Sequence, residues 1–129
     1  MTYQSLIYEV DDGIATVRLN DPERLNALTF QTYEELELLM ANLAGEQTVK
    51  VVVLTGNGKG FCSGGSVHDI IGPLLKMNGA ELYRFTRMTC NVVKNMRNLK
   101  KPISIARFIR LKYCIASNAL KRIPSLVKT

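Results

Sequence analysis

The chain has 129 residues, 47% of them hydrophobic and 22% charged, which fits one folded domain and not a disordered or repetitive chain. No apolar run approaches the roughly 20 residues of a membrane helix, and residues 1–13 lack a basic, apolar and small-residue leader pattern, so a cytoplasmic chain is expected. The net charge of +6 argues little for nucleic acid or an anionic membrane, because residues 1–106 carry 11 basic and 11 acidic residues and the whole excess lies in residues 107–129.

In chain order, residues 6–10 and 14–19 are short strand candidates separated by Asp11-Asp12-Gly13, a hairpin signal. The second run alternates Ile14, Thr16 and Arg18 with Ala15, Val17 and Leu19, as a half-buried strand does. Asn20-Asp21-Pro22 stops it, since proline cannot donate into a ladder. Residues 23–29 form a loop into a helix, with Thr29 or Thr32 as cap and Glu35 three residues beyond Thr32. The spacing of Leu36, Leu39, Met40 and Leu43 predicts a helix over 32–43, with Gly45 at its C-terminal cap. A short connection then leads into residues 51–55, VVVLT, a buried strand parallel to its predecessor.

Residues 51–69 read VVVLTGNGKGFCSGGSVHD. A strand that ends in a glycine-rich turn and opens a helix presents unpaired backbone N–H groups, which receive oxygen or phosphate. Two phosphate motifs fail: the nucleoside triphosphate loop needs Gly-Lys-Ser/Thr where Gly58-Lys59-Gly60 stands, and the dinucleotide fingerprint needs glycine at Phe61. Gly65 either donates its N–H to a ligand or serves a tight turn beside Gly64. Cys62 has only one histidine in the chain to act as base, His68, and His68-Asp69 reads as a solvated or capping pair. Cys62, Cys90 and Cys114 show neither disulfide nor metal spacing, and no metal site is expected.

Beyond the loop, Ile70, Ile71, Leu74, Leu75 and Met77 are either core or the wall of an apolar pocket, with a break at Gly72-Pro73 and another at residues 77–79. A long helix over 80–99 follows, its stripe made by Leu82, Phe85, Thr86, Thr89, Val92, Val93, Met96 and Leu99, with Lys100-Lys101 complementing its C-terminal dipole. Residues 101–106 are the last strand.

Three stretches in this order, LNDPERLNALT, KGFCSGG and the Lys-Pro strand entry at 101–106, resemble the enoyl-CoA hydratase/isomerase (crotonase) family. The resemblance implies an α/β fold of the ClpP/crotonase type, a truncated spiral of strand–strand–helix units, with residues 1–106 as the N-terminal part of that domain. It implies that Gly65 donates its amide to a thioester carbonyl oxygen. By the same resemblance Arg24, Leu25, Ala27, Leu28, Ser63, Gly64, Ser66 and Val67 contact the coenzyme A thioester, and Ile70, Ile71 and Leu74 line the acyl pocket. Ser66 stands where the family very often has aspartate. Coenzyme A enters as part of the substrate, with no covalently bound cofactor, and family subunits commonly form trimers.

The resemblance stops at Ala106, where the family continues with an Asn-Gly turn and a second oxyanion amide. Residues 107–129, with Arg107, Arg110, Lys112, Lys121, Arg122 and Lys128 and no acid, are a divergent basic tail, either a non-native ending or an amphipathic helix. Losing one oxyanion donor costs about 10²–10³ in rate, and the acidic residues that move the proton in the family lie further along and are missing too, about 10²–10⁴ more, so a nearly inactive chain is expected. Three functions follow: an enoyl-CoA hydratase/isomerase-type enzyme, a non-catalytic remnant that binds acyl-CoA or joins full-length subunits, or a module whose basic tail contacts nucleic acid or anionic membrane, the last not favoured.

Overall fold

The computed structural model of the chain describes residues 2–105. The expectations for residues 107–129, and the last residue of the final strand, lie outside the described residues.

Strands β1 (Leu6–Asp11) and β2 (Ile14–Leu19) form an antiparallel hairpin, paired from Leu6↔Leu19 to Asp11↔Ile14. Its turn places Asp12 at φ 46° and Gly13 at φ 76°, the two left-handed residues that match the twist of a tight hairpin. Helix α1 (Phe30–Gly45) then crosses over, and β3 (Val51–Gly56) pairs parallel to β2. Helix α3 (Gly79–Asn98) makes the next crossover into β4 (Ile103–Ile105), parallel to β3, after a single turn α2 (Gly72–Leu74). The sheet order is β1-β2-β3-β4.

One face of the sheet carries the core. Leu36, Leu39, Met40 and Leu43 of α1 pack with Ala15, Val17, Leu19, Val52 and Leu54, and Val92 and Leu99 close the layer. Each such side chain contributes about 1.5–3 kcal/mol by leaving water. The alternation in β2 predicts a half-buried strand, yet Ile14, Ala15, Thr16, Val17 and Leu19 are all buried. β2 lies between two neighbouring strands, and its second face is covered as well as its first.

Helix α1 begins at Phe30, two residues before the expected start at residue 32. Thr29 is the cap: its hydroxyl accepts from Thr32 N at 3.2 Å, and the Thr32 hydroxyl accepts from Thr29 N at 3.3 Å. Thr32 therefore closes the capping box from inside the helix, in the place expected for Glu35. Gly45 is the last helical residue and not the cap; the extended Glu46 ends the helix. Lys101 also departs from expectation, since its ammonium donates to the carbonyls of Leu43 and Glu46 and so satisfies the C-terminus of α1 instead of α3. Helix α3 starts on a capping box between Asn78 and Glu81, and its stripe is only partly used, Val92 being its one buried residue. Leu82 and Val93 stay exposed.

Glu35 anchors the N-terminal segment. Its carboxylate accepts from Gln4 N at 2.8 Å, from Ser5 N at 2.9 Å and from the Ser5 hydroxyl at 2.6 Å. Burial alone would raise its pKa, but the hydrogen bonds from Ser5, Gln4 and Gln31 outweigh that and hold it below the usual carboxylate range. A pKa lowered on folding stabilises the fold above the unfolded-state value, about 4.3, and the stabilisation is lost as pH falls through the folded value. Stability measured by urea titration should therefore fall below about pH 4 more steeply in the wild type than in Glu35→Gln. Parallel pH profiles for the two proteins would show that this anchor contributes nothing.

Candidate active site loop

The site is built where two loops cross the end of the parallel sheet. The first leaves β2 through a 3-10 turn (Pro22–Arg24) and takes Leu25 and Asn26 into left-handed conformations, φ 51° and 56°. The second leaves β3 at Gly56 and runs through residues 57–66. It returns so closely that a Cβ on Gly56 would lie 2.3 Å from Phe61 O, 2.4 Å from Gly60 O and 2.6 Å from Asn26 Nδ2.

Hydrogen bonds knit the two loops together. Ser63 N donates to Leu25 O at 2.9 Å, and the Ser63 hydroxyl to Arg24 O at 3.2 Å. Leu28 N donates to Gly64 O, and Ser66 N to Leu28 O, each at 2.8 Å, so Leu28 and Gly65 face each other as a one-residue parallel bridge. In such a bridge the bonded groups belong to the residues on either side of Gly65. The N–H of Gly65 makes no hydrogen bond among the described residues, and Gly65 is exposed. The turn is made by Gly64 instead, at φ 105°, with its N–H donated to the Cys62 thiol sulfur at 3.3 Å. The two adjacent glycines thus have separate roles: Gly64 bends the chain, and Gly65 presents a free donor.

Residues 67–74 form two short helical pieces of different type. A π-type turn (Val67–Ile71) follows Ser66, with Ile71 N bonded to Ser66 O at 3.2 Å, and the one-turn α2 succeeds it with Pro73 in its first positions. At Gly72-Pro73, where a break or kink was expected, the π-type turn gives way to α2 without interruption, and proline is accommodated there because it stands where the amide has no helical acceptor. The wide turn places Ile70 in the interior (3% exposed) and directs Ile71 (45%) and Val67 (66%) outward. Leu74 is half-buried.

Ser66 is buried and caps this turn. Its hydroxyl accepts from Asp69 N at 3.1 Å and donates to Asp69 Oδ2 at 2.8 Å. Asp69 Oδ2 also receives Arg24 Nη1 at 2.6 Å, while Arg24 Nε bonds Asp21 Oδ2 at 2.8 Å. Those bonds, from Ser66 first and Arg24 second, hold the Asp69 carboxyl below its ordinary range. The same pairing to Asp69 and Asp21 raises the Arg24 guanidinium. Arg24 borders a polar cleft of about 530 Å³ that also touches Asn20, Asp21 and Asp69. His68 is exposed and lies in a different cleft, with Lys76 and Glu81.

The structure thus brings Arg24, Leu25 and Leu28 against Ser63, Gly64, Gly65 and Ser66, while Ala27, half-buried between Asn26 and Leu28, donates its N–H to Arg24 O at 3.2 Å. It separates Ile71 from Ile70, which share no face. The residue that sequence reading passed over is Asn26, buried to 1% exposure at the crossing of the loops. An asparagine tolerates φ > 0 better than most residues, and that was its only signal.

A strand, a glycine turn with a free amide and a second loop laid beside it agree with the match of residues 9–106 to the enoyl-CoA hydratase/isomerase family. The chain belongs to that family. It is 30% identical over 105 residues to 1,2-epoxyphenylacetyl-CoA isomerase of Escherichia coli strain K12, an alignment covering 78% of this chain and 38% of the relative. It is 29% identical over 107 residues to the short-chain-enoyl-CoA hydratase of Clostridium acetobutylicum, covering 82% and 40%. A candidate enoyl-CoA hydratase from Streptomyces coelicolor A3(2) superposes with a TM-score of 0.77 at 45% identity, over 81% of this chain and 38% of that one. The chain spans from about a quarter to about half the length of the curated relatives it matches. One of these family relatives is an isomerase and another a hydratase, so membership defines the crotonase fold and leaves the reaction open. No helix among the described residues is long and apolar enough to cross a membrane.

Proposed function

We propose that residues 1–106 are the N-terminal part of a crotonase-like domain and bind an acyl-CoA thioester, with the Gly65 N–H donating to the thioester carbonyl oxygen. The observation that carries this reading is the exposed Gly65 amide, unpaired among the described residues while both residues beside it are bonded to Leu28. A donor held rigidly and left open interacts more strongly with an oxygen as charge develops on it, as in an enolate of the thioester. Leu25, Ala27 and Leu28 supply the wall along which the pantetheine arm lies, and Ser63 and Gly64 form the opposite lip. The Ser66 polar groups are engaged in the cap and in the Leu28 bond, so its contribution is to fix the turn. Arg24 can meet a phosphate only by sharing or exchanging its carboxylate partners Asp21 and Asp69. Val67 and Ile71, both outward, and Leu74 at their edge are offered to the acyl chain, while buried Ile70 supports them from below.

One donor from this chain suits binding and polarisation of the carbonyl. The family relatives named for a hydratase and an isomerase support the thioester class of ligand. The test is a thermal melt with and without crotonyl-CoA. At about a hundred times its dissociation constant the ligand should stabilise the fold by about 2.7 kcal/mol. A cooperative melt indifferent to crotonyl-CoA would reject the reading.

A further inference from the structure

We infer that Asn26 is the positioning residue of the Gly65 donor, an inference that rests on the thioester reading of that amide. Four hydrogen bonds converge on Asn26. Its N–H donates to Asp21 O at 2.7 Å, and its Oδ1 accepts from Asp21 N at 2.9 Å. Its Nδ2 donates to Asn57 O and to Gly60 O, both at 2.9 Å. The side chain therefore clamps the start of the glycine-rich arc at residues 57 and 60. Two residues further on, Leu28 clamps its end through Gly64 O and Ser66 N. Residues 60–66 run between these two fixed points, tied once more at Ser63 to Leu25 O and Arg24 O, and these anchors together set the direction of the Gly65 N–H.

Only asparagine meets all the demands of the position. The backbone at φ 56° excludes β-branched residues. One carboxamide end must accept from an amide while the other donates to two carbonyls. Aspartate has no donor to offer Asn57 and Gly60, and glutamine is one methylene too long for a site buried to 1%. A rate or affinity that depends on an oxyanion donor is sensitive to displacements of about 1 Å, so this clamp acts on the ligand without touching it.

The experiment uses the full chain and two probes, acetyl-CoA labelled with ¹³C at the thioester carbonyl and free coenzyme A, which lacks that carbonyl. Asn26→Gly keeps the left-handed backbone and the bond to Asp21 O while removing the side-chain clamp. Asn26→Asp keeps the acceptor for Asp21 N and replaces the donors with a carboxylate oxygen that faces Asn57 O and Gly60 O. In the wild type the labelled carbonyl stretch should move to lower wavenumber on binding. Either folded variant should bind acetyl-CoA about tenfold more weakly, the factor lost with one hydrogen bond of ordinary strength. It should also lose the carbonyl shift while binding free coenzyme A as the wild type does. Equal weakening toward both probes, or an unchanged carbonyl shift, overturns the inference. So does loss of a cooperative melt in both variants, which would make Asn26 a determinant of the fold alone. A wild type that binds free coenzyme A but shows no carbonyl shift rejects the thioester role of Gly65 itself, a separate outcome.

Discussion

Gly56→Ala is expected to remove the cooperative unfolding transition, or to lower stability by about 4 kcal/mol or more. Gly56 ends β3 in the buried sheet, paired with Leu19 of β2. A methyl group there would overlap the carbonyl oxygens of Phe61 and Gly60 and the amide nitrogen of Asn26, all within 2.6 Å. Overpacking an apolar core costs about 1–3 kcal/mol because side chains move aside. Here two of the three colliding atoms are backbone, and the third belongs to the clamp of the loops, so relief requires the glycine arc to leave the sheet. Against a total stability of about 5–15 kcal/mol, that is a large loss. Thermal melting of Gly56→Ala beside Gly45→Ala checks it, since a Cβ on Gly45 meets nothing within 4 Å. A Gly56→Ala melt within about 3 °C of the wild type, less than about 1 kcal/mol, would show that the close packing of loop on strand is not maintained in solution.

The second large effect is functional. Gly65→Pro deletes the free N–H and should abolish stabilisation by crotonyl-CoA; any hydration of that substrate should fall about 10²–10³-fold, the range for one oxyanion donor. The proline removes no hydrogen bond found among the described residues. Gly65→Ala is the control: its Cβ would sit 4.0 Å from Ile70 Cδ1, an ordinary contact, and its amide is retained. Gly64→Ala, at φ 105°, should instead lose about 1–3 kcal/mol of stability from backbone strain, although its Cβ meets nothing. If Gly65→Pro still responds to crotonyl-CoA in the melt as the wild type does, Gly65 is not the donor.

Much of the fold was readable because its signals are local. Asp-Gly between two apolar runs predicts the hairpin, and the spacing of Leu36, Leu39, Met40 and Leu43 predicts the helix face that meets the sheet. The apolar run at 51–55 predicts the buried parallel strand. The loop motifs around Arg24 and Gly65 pointed to the family that the comparison over residues 9–106 then showed. Legibility declined where a residue's partner is distant in sequence. Glu35 looked like part of a capping box three residues from Thr32, but its carboxylate reaches back some 30 residues to Ser5. Lys101 looked like the complement of α3, the helix before it, and it satisfies the end of α1.

By itself the sequence determined the order of elements, the apolar face of α1, the strand–glycine-turn architecture of the loop and the family. These follow from periodicity, from turn chemistry and from a motif written in consecutive residues. Only the tertiary structure decided which of two adjacent glycines bends the chain and which keeps an N–H without a partner among the described residues, and that Ile70 faces inward while Ile71 faces out. Only the tertiary structure placed Asn26 at the crossing of the loops. The split of Ile70 and Ile71 follows from the π-type turn, but the other two depend on hydrogen bonds to partners more than 30 residues away. That pairing is chosen by the packing of the whole fold, because every buried donor and acceptor must be satisfied at once.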